Sequence, residues 1–297
     1  MKPLSQNKQA GFTLVELSIV LVIIGLIIGG VLVGQDLIKA AEIRSTVGGF
    51  EKYNAAAITF RNKYNGLPGD LLASRANQFG MTWRDATLAA GRTGGAGRGD
   101  GNGSIEGCAA SATALGCETA GFWMDLTDAQ LIADAFVTGT ATTGALAPTG
   151  SFPGEDLNTV VKQARYLPNA PLRDNALVHI YPEGGRNYWG IHSYSTITSA
   201  AGLQTLAAAG VRALTPLEAS QIDEKMDDGI PTSGIVKAIS ALTVALGATT
   251  DPGATPAAAV CVNFGAAAPI IFDETYNVAN TTWANALNCL LGIRASF

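Results

Sequence analysis

Gly11-Phe12-Thr13-Leu14-Val15-Glu16-Leu17-Ser18-Ile19-Val20 opens an apolar run that ends at Gly34, and from Phe12 to Gly34 the only ionisable side chain is Glu16. As a helix this run spans about 34 Å, enough to cross the hydrocarbon core of a bilayer with some tilt. A carboxylate in such a helix costs about 2.5–3.5 kcal/mol at the bilayer centre and less near the headgroups, so its presence calls for a partner. Ahead of it lies a leader, residues 1–11, with Lys2 and Lys8 and no acid. Basic residues on that side keep the leader in the cytoplasm and send the chain beyond Gly34 across the membrane.

Two simpler readings of the run fail. A secretory signal has an apolar core of about 7–15 residues and then a small-residue cleavage site. Leu17 to Gly34 is longer than that, and no such site comes after it. A plain single-span anchor explains the length but neither the Gly11-Phe12 junction nor Glu16.

Gly11-Phe12-Thr13-Leu14-Val15-Glu16, behind a basic leader, resembles the processing signature of type IV pilins and of the pseudopilins of type II secretion, the class III signal family. The resemblance implies that a prepilin peptidase cuts between Gly11 and Phe12 and N-methylates Phe12, leaving Glu16 as the fifth residue. It further implies that Glu16 neutralises the amino terminus of a neighbouring copy in a filament core. Breaking one side of such a pair leaves a buried, unpaired charge. The implied partners are other copies of the chain and related pilins, the peptidase and an inner-membrane assembly platform. The implied location is the bacterial inner membrane as a single pass with the globule in the periplasm, then a surface or periplasmic filament.

The expected divisions are a cleaved leader at 1–11, a membrane or filament-core helix at 12–34, its amphipathic continuation at 35–66 and an exported globule at 67–297. In the core helix, Gly25 with Gly29 and Gly30 with Gly34 make two GxxxG spacings, which permit close helix packing, although glycine is also simply common in membrane helices and periodicity does not separate the two readings. Beyond it, Ile43, Val47, Phe50, Tyr53, Ala57, Phe60 and Tyr64 recur at steps of three and four, the mark of one helical face. Asn65-Gly66 and then Pro68 stop the helix, with Gly66 expected in the left-handed cap.

The globule is expected to be α+β: the long helix packed on a small antiparallel sheet with disulfide-closed loops. Leu177–Tyr181 and Tyr188–His192 flank a Pro182-to-Arg186 turn and read as a hairpin. Phe122 to Phe136 reads as a helix with Asp125 or Thr127 near its start and Leu126, Ala129, Ile132 (or Leu131) and Phe136 inward. Thr215-Pro216-Leu217-Glu218 reads as a capping box opening a second helix that ends before Gly229, with Leu217, Ala219, Ile222 and Met226 on its apolar side. Its acids Asp223, Asp227 and Asp228 could hold a cation, but acids at a helix end are more often solvated, and that is the expectation here. Thr138–Gly150 and Val244–Ala259 are read as loops.

The cysteines, Cys108, Cys117, Cys261 and Cys289, all come after the span. In an exported segment they read as disulfides. Three connectivities exist, and the sequence-local pairs Cys108–Cys117 and Cys261–Cys289 are expected. No CxxC is present, and the histidines, His179 and His192, are not spaced as zinc ligands near any cysteine. Asp100 to Glu106 resembles the middle of a calcium-binding EF-hand loop, but Arg98 and Ala109 occupy two key ligand positions. That leaves Asp100, Asn102 and Glu106 as a looser calcium candidate beside the simpler reading of an Asp/Asn/Gly turn.

With charged residues at 14% and a formal net charge of −5, the chain has no nucleic-acid footprint. It contains no GxSxG, HExxH or Walker lysine motif, so no enzymatic role and no cofactor are expected. The reading is a structural filament subunit. The alternatives are a type II secretion pseudopilin and, from another class, a membrane-tethered binding protein.

Overall fold

The computed structural model describes residues 13–81, 99–106, 118–134, 136, 167–173, 176–193, 197–200, 203–206, 213–239, 261–263, 275–276, 278 and 289–297. Gly11, Phe12, Cys108, Cys117 and the loops expected at 138–150 and 244–259 lie outside the described residues.

Helix α1 runs Leu14–Tyr64, 51 residues without a proline. The chain divides within it into two units, Met1–Glu42 and Ile43–Phe297. In the first unit every large apolar side chain from Leu14 to Ile38 is exposed. In the second, Ile43, Thr46, Phe50, Tyr53, Ala56, Ala57, Phe60 and Tyr64 form a buried stripe, as the three-four periodicity predicts, while Arg44, Glu51, Lys52, Arg61 and Lys63 stay exposed. Asn65, not Gly66, takes the left-handed conformation at the end of α1, with φ 54°. Its N–H bonds the Arg61 carbonyl at 2.8 Å, the single closing bond of a left-handed cap. Asparagine tolerates this region, so glycine is not required there. Gly66 is needed for a different reason: a Cβ on it would stand 2.7 Å from Leu71 Cδ1.

After the short α2 (Ala73–Gln78), α3 spans Glu118–Asp128. The expected helix at 122–136 is therefore displaced: it begins four residues earlier and ends eight earlier. Its end is a Schellman motif. Gln130 sits at φ 56°, its N–H bonds the Thr127 carbonyl at 2.9 Å, and the Leu131 N–H bonds the Leu126 carbonyl at 3.0 Å. Ile132 and Phe136 are buried as expected but reach the core from non-helical backbone. Asp125 and Thr127 lie inside α3 and do not start it. The Thr127 hydroxyl donates to the Trp123 carbonyl and accepts from the Phe136 N–H, holding the following turn against the helix.

The expected hairpin forms, from β1 (Ala176–Glu183) and β2 (Arg186–Ser193) in unbroken antiparallel register, but its strands run on through Pro182, Glu183, Arg186 and Asn187, residues expected in or beside the turn. Its two-residue turn, Gly184-Gly185, has φ 54° and 75°, the double positive that matches the twist of paired strands. Strands β3 (Ile197–Ala200) and β4 (Leu203–Leu206) pair with each other. Helix α4 (Pro216–Met226) carries the predicted capping box, Thr215 with Glu218. Glu218 also receives both hydrogen bonds of Arg173 Nη2, at 2.7 and 2.9 Å.

Two expectations for α4 are corrected. Leu217 is 45% exposed, because the inward face runs through Ala219, Ile222, Asp223 and Met226, at helical spacing from one another but not from Leu217. Asp223 is therefore fully buried, not solvated, and accepts from the Tyr276 hydroxyl at 2.8 Å.

Strand β5 (Val236–Ile239) comes next, then β6 (Val262–Asn263) paired with β7 (Thr275–Tyr276), and finally β8 (Leu290–Arg294). The main sheet has the order β1-β2-β8-β5 and is antiparallel throughout. Cys261 and Cys289 form a disulfide across 28 residues of sequence, with Cα atoms 5.1 Å apart. Cys289 also exchanges main-chain bonds with Leu214, at 2.9 and 3.3 Å, so the disulfide and the entry to α4 meet beside β8.

An aromatic cluster joins α1, α3 and the sheet. The Trp189 ring lies 6.3 Å from Phe50, 6.0 Å from Tyr53, 5.4 Å from Phe122 and 5.8 Å from Trp123, and Tyr53 meets Trp123 edge-on at 4.9 Å. Trp189 Nε1 donates to Asn54 Oδ1 at 3.0 Å, which satisfies the one polar atom of the ring.

Candidate functional site

At the start of α1, Thr13 and Glu16 close a reciprocal cap. The Thr13 N–H and hydroxyl donate to Glu16 Oε2 at 2.8 and 2.7 Å, and the Glu16 N–H donates to Thr13 Oγ1 at 3.3 Å. Two donors that the first helical turn leaves unpaired are thereby satisfied, and the negative carboxylate sits at the positive end of the helix dipole. The Thr-x-x-Glu spacing that signals this cap is plain in the sequence, beside the intermolecular role that the family resemblance gives Glu16. The Ser18 hydroxyl donates to the Val15 carbonyl at 2.8 Å.

A Cβ built on Gly25, Gly29, Gly30 or Gly34 meets nothing within 4 Å. Within this chain these glycines fill no packing need. The helix is long and apolar enough to cross a membrane by length and composition, with Glu16 as its single charge in that stretch.

In the globule, the calcium candidates Asp100, Asn102 and Glu106 do come together, but through the asparagine. Its side-chain N–H groups donate to Asp100 Oδ2 at 3.1 Å and Glu106 Oε1 at 3.4 Å, while its backbone N–H donates to Asp100 Oδ1 at 3.0 Å. Two acids outside that candidate set hold the loop from beneath. Asp70 accepts from the Gly101 and Gly103 N–H groups at 2.7 and 2.8 Å, one on each oxygen. Glu118 accepts from the Gly99 and Glu106 N–H groups at 2.5 and 2.8 Å. Asn187 completes the clasp, accepting from the Ile105 N–H at 2.9 Å and donating to the Gly103 carbonyl at 3.0 Å.

Carboxylate oxygens of Asp70, Asp100 and Glu118 lie within 4.8 Å of one another. Burial pushes the Asp70 carboxyl up to about 6, against the Gly103 and Gly101 N–H groups that favour its charged form. Gly69, φ 82°, permits this packing, since a Cβ there would overlap the Glu118 carbonyl. Only the fold brings Asp70 and Glu118 together, across 48 residues of sequence. The only local signal is the density of glycine between them.

Residues 6–32 match the family model of the prokaryotic N-terminal methylation motif. Comparison with curated proteins and with solved structures finds no match. A capped, wholly exposed apolar helix with one carboxylate in its first turn is thus the structural form of that motif here, and the chain carries over residues 6–32 the class III signal of type IV pilins and pseudopilins.

Proposed function

We propose that this chain is a structural subunit of a type IV pilus-like filament, without enzymatic activity. Prepilin peptidase cuts it between Gly11 and Phe12 and methylates Phe12. Residues 12–34 then form the filament core, 35–66 continue the helix, and 67–297 form the exported globule, first in the periplasm and then on the filament. The observation that supports this most is the combination of the methylation motif with a helix whose large apolar side chains, Leu14 to Ile38, are all exposed. Such a surface needs a lipid or protein environment to cover it. A helix first held in the inner membrane and then packed against neighbouring copies, handed on by the assembly platform, has both. Gly25, Gly29, Gly30 and Gly34 let neighbouring helices approach closely, and Glu16 answers the methylated amino terminus of the next subunit.

The test is N-terminal sequencing and intact mass on protein sheared from the cell surface, beside protein from the membrane fraction. Methylated Phe12 at the start of sheared chains is the expected result. The same chain confined to membranes indicates a type II secretion pseudopilin. A chain still starting at Met1 in cells with active peptidase overturns both. In that case the remaining reading is a tethered binding protein, which has in its favour a cavity of about 560 Å³ lined by Arg61, Asn65, Asp70 and Arg75. Glu16→Ala is expected to abolish the filament while leaving the membrane-bound chain in place, because it strands the neighbouring amino terminus without its counter-charge.

A further inference from the structure

Helix α4 ends in a concentration of negative charge that its own geometry opposes. Asp223 lies in its last turn, Asp227 caps it, and Asp228 comes directly after. The carboxyl end of a helix is the negative end of its dipole, so acids there are unfavourable. Carboxylate oxygens of all three nevertheless lie within 4.8 Å of one another. The ion pairs seen among the described residues, Lys52–Asp134 and Arg173–Glu218, lie elsewhere.

Backbone and hydroxyl donors meet part of this charge. Asp227 Oδ2 accepts from the Ile235 N–H and, at 3.3 Å, from the Val236 N–H. Asp228 accepts from the Ile230 N–H at 2.9 Å and from the Ser233 hydroxyl. The 227–235 loop folds tightly round the acids, and a Cβ on Gly234, φ 70°, would overlap the Asp227 carboxylate.

Asp223 is left incompletely satisfied. Oδ2 takes the Tyr276 hydroxyl, but Oδ1 is buried with no hydrogen-bond partner. A buried carboxylate oxygen without a donor is costly, and two more carboxylates beside it increase the cost. Burial pushes the Asp223 carboxyl up to about 7. The Tyr276 hydroxyl and the Gly229 N–H pull it down, although the latter makes no hydrogen bond to Oδ1, and Asp228 and Asp227 push it up again.

The Asp70–Asp100–Glu118 cluster differs on this point. Both oxygens of Asp70 and both of Glu118 accept a backbone N–H, so that cluster is closed by the chain itself.

We propose that Asp223, Asp227 and Asp228 hold a calcium ion at the end of α4. The available donors are carboxylate oxygens with the Ser233 hydroxyl beside them, a hard set that suits calcium and lacks the nitrogen and sulfur that zinc prefers. Calcium accepts six to eight oxygens in irregular geometry, whereas magnesium demands a regular octahedron that a helix end and a tight loop do not supply. The ion supplies Asp223 Oδ1 with its partner and neutralises the acids that face the helix dipole. It ties α4 to the 227–235 loop and, through Tyr276, to β7. This inference does not depend on the filament reading.

The test is calorimetric titration of calcium into the full chain in detergent at neutral pH after chelator treatment, with thermal unfolding in calcium, magnesium and chelator. The expected result is one calcium per chain with a dissociation constant on the order of 10⁻⁴ M, in the range of extracellular calcium modules. The unfolding midpoint rises in calcium and not in magnesium. Asp223→Asn and Asp227→Asn each weaken binding at least tenfold by this reading, while Asp100→Asn changes it less than twofold. If Asp223→Asn fails to fold, Asp228→Asn, at an exposed residue, gives the same readout. The proposal is overturned by the absence of both heat and midpoint shift at about 10 mM calcium. It is equally overturned by binding that survives the Asp223 and Asp227 substitutions or that is lost in Asp100→Asn.

Discussion

Asp70 places a buried acid beneath a glycine-rich loop, and its environment makes a pH prediction. Its carboxyl lies at about 6 in the folded chain against an ordinary 3.8, with burial as the first cause. Between those values the folded state binds more protons than the unfolded state, so this group's contribution to stability is greatest at low pH and falls as pH rises through about 6. Denaturant midpoints of the wild type and Asp70→Asn, measured from pH 4 to pH 7, are expected to diverge. The wild type loses stability relative to the variant as pH rises, and parallel profiles overturn the assignment. Glu16 shows the limit of residue-level reading. Its apolar surroundings mark it as exceptional, and the family resemblance supplies the intermolecular role proposed for it, but its bonds with Thr13 come from the cap spacing alone. Asp223 shows the opposite error: acids near a helix end are usually solvated, and only the position of Ala219 one turn earlier and Met226 one turn later reveals that this one faces inward.

Elements specified by their own local chemistry are legible in the sequence. The stripe of α1, the hairpin with its Gly184-Gly185 turn and the capping box of α4 all arise from spacing within a few residues. Removing the α4 cap in Thr215→Ala is expected to cost about 1 kcal/mol, read from denaturant unfolding. Phe60→Ala, in the buried stripe of α1, is expected to cost about 3–5 kcal/mol, because the side chain is completely enclosed and its loss leaves a cavity. Helix α3 departs from its expected span for a definite reason. The apolar spacing of Leu126, Ala129, Ile132 and Phe136 continues past the point where Gln130 turns left-handed, so periodicity alone carries a helix through a Schellman stop. Glutamine gives no warning of that conformation as glycine does.

At the scale of the whole molecule, the features hidden from the sequence are long-range. The clasp of Asp70, Glu118 and Asn187 on the 99–106 loop and the meeting of Trp189 with Phe50 and Trp123 join segments far apart in the chain, and no local pattern encodes them. Cysteine parity gives a partial account: Cys261 and Cys289 pair as sequence-local neighbours, in a sheet whose strand order the cysteines do not announce. Removing that disulfide in Cys261→Ala/Cys289→Ala is expected to lower stability by about 3–4 kcal/mol for a loop of this length, read by chemical denaturation of the full chain.

Strand β8 occupies the middle of the main sheet although it is the last of the four strands in chain order. The hairpin of β1 and β2 can close as soon as both have emerged, but the inner edge of β2 and the whole of β5 wait for residues 290–294. During synthesis the growing chain therefore carries two unsatisfied strand edges, each a template for the wrong partner. The seat between them is filled last, so a chain interrupted before Leu290 keeps its hairpin and lacks the strand that joins it to β5. The last residues of the chain thus decide whether the main sheet is one sheet or two separate pieces.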